Sequence, residues 1–201
     1  MWGGGGAVAA VAHREQAEYL DFVKSIFPDF FRGKRVLEVG SLDVNGSPRP
    51  LFEGCEYIGL DLAPGPGVDV TGVAHTYDAP DKSFDVVLST ECLEHNPFWA
   101  ETLQMMVRVL KPGGLCVVTC ATTGRPVHGT SSTDEEGRAK HAGWVTLPNA
   151  SCELPGWDRD YYRNLTRHDF YDAVPLMDVF EQFKFTVEPN HCDLYFWGVK
   201  G

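Results

Sequence analysis

The apolar residues change their spacing once along the first third of the chain. From about Ala9 to Phe27, Val11, Tyr19, Phe22, Val23 and Ile26 recur at roughly helical intervals between His13, Arg14, Glu15, Glu18, Asp21 and Lys24, which predicts an amphipathic helix ended by Pro28. After Gly33 short, continuous apolar runs take over: RVLEVGS, EYIGLDL, GVDV, FDVVLST and LCVVTCA. Runs of this kind suit strands buried on both faces, the environment of a parallel sheet. Between the fourth and fifth runs, PFWAETLQMMVRVLKPGG carries Leu103, Met106, Val107 and Leu110 at helical spacing. Pro97 stands at its start and Pro112-Gly113-Gly114 is expected to stop it. Met105 and Met106 read as core. Strand and helix alternating through short connections predict a doubly wound, mostly parallel α/β domain whose ligands sit beyond the carboxyl ends of the strands.

The regularity stops after the fifth run. Residues 122–166 form a long polar, Gly- and Pro-containing stretch without a sustained period, expected to be a lid over a binding site. A helix is predicted from Arg167 through Val174, resuming to Phe183 after Pro175. KFTVEP and DLYFWGVK then follow, with a connection (NHC) short enough for an antiparallel hairpin. At the other end, residues 1–8 read as a flexible terminus, because the opening MWGGGGAVAAVAHREQ has no basic segment before its small-residue run and is too short in apolar residues to span a bilayer. Residues 9–201 are taken as a single domain, with 9–32 as its N-terminal helix region.

Composition narrows the partners. The 201 residues carry 17 basic and 28 acidic groups, a formal charge of −11, which argues against a nucleic-acid binder that must neutralise phosphates. Apolar residues at 43% and charged residues at 22% are the mix of a soluble globular protein, with no membrane association expected. The six cysteines include no CxxC pair and no His spacing typical of a zinc site, so no metal is expected and the thiols read as reduced and mostly buried, favouring a cytoplasmic setting.

The first strand runs into a turn with unusual chemistry, VLEVGSLDVNGS. A dinucleotide turn uses glycines to bring backbone N–H groups to a diphosphate. Here Asp43 sits in the middle of the turn, where its charge would repel one. Glu38 at the strand end, a tight turn (Gly40, Gly46) and polar Ser41, Asp43 and Asn45 suit instead a ligand carrying an ammonium or sulfonium cation. Asp61 ends the second strand, placed to accept both hydroxyls of a ribose. An adenosine with a cationic, non-phosphate tail describes S-adenosylmethionine.

At these residues the chain resembles a class I S-adenosylmethionine-dependent methyltransferase of the small-molecule methyltransferase domain group, over roughly residues 35–122. EVGSLDVNGS is similar to that family's first motif, YIGLDLAPGPGVDV to the segment ending in the ribose-binding acid, and FDVVLSTECLEH with VLKPGG to its fourth-strand and helix-ending motifs. The resemblance implies a Rossmann-like doubly wound, seven-stranded sheet with an antiparallel C-terminal hairpin strand. It further implies that S-adenosylmethionine is the donor and S-adenosylhomocysteine the product. Glu38 and Gly40 would lie against the methionyl end, and Asp61 would hold the ribose with Leu62 nearby. The family's adenine-binding Asp-Ala pair corresponds to Val73-Ala74, leaving His75 as a candidate partner for the adenine. The first motif lacks its central glycine.

Beyond the fourth strand, STECLEH places Glu91 against the cofactor, with Glu91 and His95 on one face if this stretch turns helical. His95 is a candidate general base, because imidazole titrates near neutral pH, and its alternative is a loop-orienting cofactor contact. His128, leaving the fifth strand in TTGRPVHGT, is a second base candidate. Trp157, Tyr161, Tyr162 and Arg163 join flat faces to hydrogen-bonding tips and are expected to hold the acceptor, a polar small molecule such as a sugar or a natural-product intermediate. The expected function is methyl transfer to an oxygen or nitrogen of that molecule. Two alternatives remain: a non-catalytic relative that binds the cofactor and serves as an interaction partner, and a nicotinamide-dependent oxidoreductase, whose Gly-rich diphosphate turn is missing here. Oligomeric state is not legible.

Overall fold

A computed structural model describes residues 14–44, 46–128 and 161–201. The predicted first turn of the N-terminal helix, the flexible terminus, Asn45, Trp157 and most of the expected lid lie outside the described residues. Helix α1 (Arg14–Ile26) buries Gln16, Ala17, Tyr19, Leu20 and Val23. Phe22 and Ile26, expected on its apolar stripe, are exposed instead, because the face defined by Ala17, Leu20 and Val23 is the one that meets the sheet. The chain then tightens into a 3-10 turn at Pro28–Phe31, which drops Phe31 into the core against Phe52.

The sheet has seven strands: β1 (Arg35–Val39), β2 (Glu56–Asp61), β3 (Val70–Thr71), β4 (Phe84–Thr90), β5 (Leu110–Ala121), β6 (Phe180–Glu188) and β7 (Asp193–Lys200), in the order β3-β2-β1-β4-β5-β7-β6. Pairings from β3 to β5 are parallel, and β7 runs antiparallel to both β5 and β6. Strand order reverses between β1 and β4, so connections leave this point in opposite directions and open a crevice at the carboxyl ends of both strands. Helix α2 (Trp99–Val109) covers one face with Leu103, Met105, Met106 and Val109, and α1 covers the other.

Two local expectations are corrected. The Pro112-Gly113-Gly114 triplet does not stop the helix. Helix α2 already ends at Val109, and the triplet forms an irregularity inside β5, where the pairing shifts from Phe84↔Leu110 to Val86↔Leu115. After α3 (Arg167–Ala173), Pro175 is followed by a single helical turn at Leu176–Val179, and the chain becomes strand at Phe180 rather than staying helical to Phe183. Phe183 and Phe185 are half-buried while Lys184 and Thr186 face solvent, the period-two pattern of a strand at a sheet edge. Among the described residues no helix is long and apolar enough to cross a membrane, and no disulfide joins the described cysteines.

Phe196 of β7 joins this end of the sheet to the helices. It is 1% exposed, and the rings of Phe170, Phe180, Phe183 and Phe185 all approach it, Phe185 at 4.9 Å between centroids. Phe196→Ala is expected to lower unfolding stability by about 3–5 kcal/mol, read as a lower urea midpoint at unchanged slope.

Candidate active site

The parallel strands β1, β2, β4 and β5 deliver their carboxyl ends to one edge of the sheet. At β1 the chain turns on Gly40, whose φ of +80° puts it in the left-handed region. The amides of Gly40 and Ser41 both donate to the Leu60 carbonyl, at 2.9 and 3.2 Å. A methyl group at Gly40 would stand 2.4 Å from Cβ of Cys92, so the turn of β1 rests directly on the loop after β4. The loop after β2 folds back equally closely, since a Cβ on Gly59 would lie 2.1 Å from the Gly67 carbonyl oxygen.

Under this turn lies a polar floor. Glu38 is 2% exposed and accepts a hydrogen bond from the Tyr57 hydroxyl at 2.9 Å. Burial pushes its pKa up to about 8, against the opposing pull of that hydroxyl and of the Arg49 charge. Arg49 stacks on the Tyr57 ring at 4.6 Å, donates to the Gly67 carbonyl at 2.9 Å and pairs with Asp69. Asp69 in turn accepts the Gly59 amide at 2.7 Å. Arg49, Asp69, Gly59 and Gly67 were not singled out from the sequence, where an arginine and an aspartate twenty positions apart carry no local signal.

Asp61 ends β2 with both carboxylate oxygens engaged: Oδ2 accepts the Leu42 amide at 3.0 Å and Oδ1 the Ala63 amide at 3.2 Å. Burial raises its pKa and these amides oppose that rise. The Leu62 amide also reaches this carboxylate, so three backbone N–H groups hold it at the strand end. Leu62 is half-buried beside it. Ser41 is buried, and its Oγ has no hydrogen-bond partner among the described residues. Asp43 points outward and its carboxylate accepts the Gly46 amide at 2.8 Å, so it closes its own turn. Ala74 and His75 belong to a 3-10 turn in which the His75 ring stacks on Phe98 at 4.2 Å, just before α2.

The rim beyond β4 departs from expectation. Glu91 has φ +49° and its amide donates to the Thr119 carbonyl at 2.9 Å, while the following Leu93–His95 segment is a 3-10 turn. Glu91 and His95 therefore share no helical face. Glu94, between them and not picked out in the sequence, is fully buried and accepts the Ala121 amide on Oε1 at 3.1 Å. Burial raises the pKa of Glu91, Glu94 and Asp193, and for Glu91 the neighbouring charges of Glu94 and Asp193 raise it further. Arg125 lies 3.3 Å from Asp193, and the buried Gln16 of α1 reaches the same group.

His95 and His128, the two base candidates, and Tyr162, expected to hold the acceptor, are in mutual contact. Ring centroids are 4.9 Å apart between the two imidazoles, 5.4 Å between His95 and Tyr162, and 4.8 Å between His128 and Tyr162. The backbone holds this group in place: the Arg163 amide donates to the Glu94 carbonyl and the Leu165 amide to that of Ala121, both at 2.9 Å. The Tyr162 hydroxyl donates to Asn164 at 2.8 Å, and Asn164 donates to the Arg125 carbonyl at 2.9 Å. Arg163 lies over the Trp99 ring and pairs with Asp169, the residue that closes the capping box of α3 with Thr166. Tyr161 is half-buried next to it.

A sheet of this order, with a fixed acid at the end of β2 and a glycine turn after β1, is that of the class I S-adenosylmethionine-dependent methyltransferases. The sequence profile described as "Methyltransferase domain" matches residues 11–190, and the chain belongs to that family. It is 38% identical over 102 residues to phthiotriol/phenolphthiotriol dimycocerosates methyltransferase 1 of Mycobacterium ulcerans, a match covering 43% of this chain and 37% of that protein. It is 36% identical over 104 residues to the fatty-acid O-methyltransferase of Mycolicibacterium smegmatis, covering 44% and 38%. The matches thus span well under half of these relatives' length. Among solved structures, phosphoethanolamine N-methyltransferase 2 of Haemonchus contortus, in complex with S-adenosyl-L-methionine, shares the fold with a TM-score of 0.58 at 16% identity, over 95% of this chain and 53% of that one.

The floor under the turn makes a pH-dependent contribution to stability. The folded pKa of Glu38 lies above its ordinary value of 4.5, so between about 4.5 and 8 the folded protein holds a proton that the unfolded chain has lost. The resulting stability is present at low pH and declines as pH rises through that window, by at most about 1.4 kcal/mol per unit. Glu38→Gln keeps an acceptor for Tyr57 and removes the titration. Urea unfolding from pH 5 to 8 should show the variant gaining on the wild type as pH rises, and parallel curves would refute the assignment.

Proposed function

We propose that this chain transfers a methyl group from S-adenosylmethionine to an oxygen or nitrogen of a small molecule. The observation that carries the reading is Asp61: the backbone amides of Leu42, Leu62 and Ala63 fix its carboxylate at the end of β2, beside the reversal of strand order, in position to accept the two hydroxyls of a ribose. Ser41 Oγ, which has no hydrogen-bond partner among the described residues, the buried acids Glu38 and Asp193 and the half-buried Glu91 surround the same edge and suit the donor's cationic tail. His75 and Ala74 form the wall on the adenine side. Membership of the methyltransferase domain family supports the donor, and the similarity to the mycobacterial fatty-acid O-methyltransferase supports an oxygen acceptor.

Little acid–base chemistry is required, because the sulfonium is already activated. Aligning nucleophile, methyl carbon and leaving sulfur supplies a large part of the roughly 7–11 kcal/mol available to well-oriented reactions. His95, His128 and Tyr162 form the wall against which the acceptor is held, and Tyr161 and Arg163 border it.

Thermal unfolding with S-adenosylmethionine, S-adenosylhomocysteine and NADH, each added separately, tests the reading. The two sulfur compounds should each stabilise the protein by about 2.7 kcal/mol at a hundredfold excess over the dissociation constant, and NADH should not. Asp61→Ala should weaken S-adenosylhomocysteine binding about ten- to a hundredfold, as expected for losing hydrogen bonds to a charged acceptor. A shift with NADH alone, or none at all, would remove the proposal.

A further inference from the structure

Glu94, His95 and His128 each offer one ligand atom, and these atoms all lie within 4.8 Å of one another. Donor atoms about 2.0–2.2 Å from a shared ion stand about 3–4.4 Å apart, so small side-chain rotations would bring this set around one cation. Two imidazoles and one carboxylate are a donor set for Zn²⁺ and similar divalent ions, and they leave coordination positions open.

Three features indicate that these side chains are held for such a purpose. Glu94 is fully buried beside two other acids, Glu91 and Asp193, and its Oε1 accepts the Ala121 amide. Buried carboxyls gathered in this way are costly unless they take up protons or a cation faces them. His128 Nδ1 lies 3.0 Å from the Pro126 carbonyl oxygen and donates to it, which fixes the ring's orientation. Outer hydrogen bonds of this kind orient metal-binding histidines. Finally, the Tyr162 ring packs on both imidazoles and limits their rotation.

We propose that Glu94, His95 and His128 bind one divalent transition-metal ion of the Zn²⁺ type, and that its open positions take a hydroxyl oxygen of the methyl acceptor. The second part rests on the methyl-transfer reading above and narrows it to an oxygen nucleophile. Coordination lowers the pKa of a bound O–H, as it does for bound water. The hydroxyl proton leaves to solvent and its oxygen attacks the methyl carbon. The new O–C bond forms as the C–S bond breaks, with that electron pair going to sulfur. The products are a methyl ether, a neutral thioether and one proton, and the metal keeps its oxidation state. In this arrangement His95 and His128 act as ligands rather than as bases.

The test uses the full chain, stripped of metal with a chelator, dialysed, and titrated with Zn²⁺ by calorimetry and with Co²⁺ by visible absorption. One equivalent of each should bind, with Co²⁺ developing ligand-field bands. His128→Ala, at the loop edge, and Glu94→Gln, of the same shape, should each weaken binding at least about tenfold, the lower end of what losing even an outer-shell partner costs. His168→Ala, exposed on α3, should not. Failure to take up either ion, or wild-type affinity in both His128→Ala and Glu94→Gln, would overturn the site. S-adenosylhomocysteine binding, measured on the same samples, separates the two proposals. A protein that binds S-adenosylhomocysteine but takes up neither ion removes the metal site alone, and uptake of metal with no S-adenosylhomocysteine binding keeps the site while removing the methyl-transfer reading.

Discussion

The carbonyl of Leu60 is the point on which the active edge depends. By accepting the amides of both Gly40 and Ser41 it forces β1 to turn at once, instead of running past the end of β2. That turn brings the Leu42 amide onto Asp61 and sets Gly40 against Cys92 of the loop after β4, so three strand ends are fixed relative to one another by contacts around one glycine. No side chain fits at position 40. The loop that carries Glu91, Glu94 and His95 is therefore positioned from β1 twice, through the pairing of β4 with β1 and through the contact of Gly40 with Cys92.

A second constraint is electrostatic. Glu38, Asp61, Glu91, Glu94 and Asp193 gather at the carboxyl edge of the sheet, and burial raises the pKa of every one of them. Among these five, a salt bridge is formed only by Asp193, with Arg125, among the described residues. Stability alone would not favour such a concentration, because desolvated carboxyls either take up protons or need counter-charges. A bound cation would relieve it. The proposed cofactor brings an ammonium and a sulfonium to the β1 side, and the proposed metal brings its charge to the β4 side. Both readings thus answer the same physical question posed by the fold.

Much of the fold was legible because burial on two faces leaves a direct mark on composition. The continuous apolar runs from RVLEVGS to LCVVTCA became the parallel strands, and the DLYFWGVK run became β7 of the hairpin. Local rules failed where tertiary pairing overrode them. Pro112-Gly113-Gly114 looks like a helix stop but lies within a strand, because β4 captures the chain from Leu110 onward. Likewise, the residues after Pro175 follow β7 rather than extending a helix, since Phe183 and Phe185 find their partners across the ladder at Gly198 and Phe196.

The site shows the same division. Asp61 and the glycine turn could be read from the chain because acid-after-strand and turn chemistry are local patterns with fixed spacing. The sequence by itself determined the strand and helix alternation, the doubly wound architecture and the position of the acid that ends β2, all properties of neighbouring residues and their period. Only the tertiary structure decided that Glu94 is buried beside Glu91 and Asp193, that Arg49 and Asp69 brace the floor beneath Glu38, and that His128 meets His95 and Tyr162. Those contacts join segments distant along the chain, and their geometry is set by where β4 and β5 end together, which no spacing within either segment encodes.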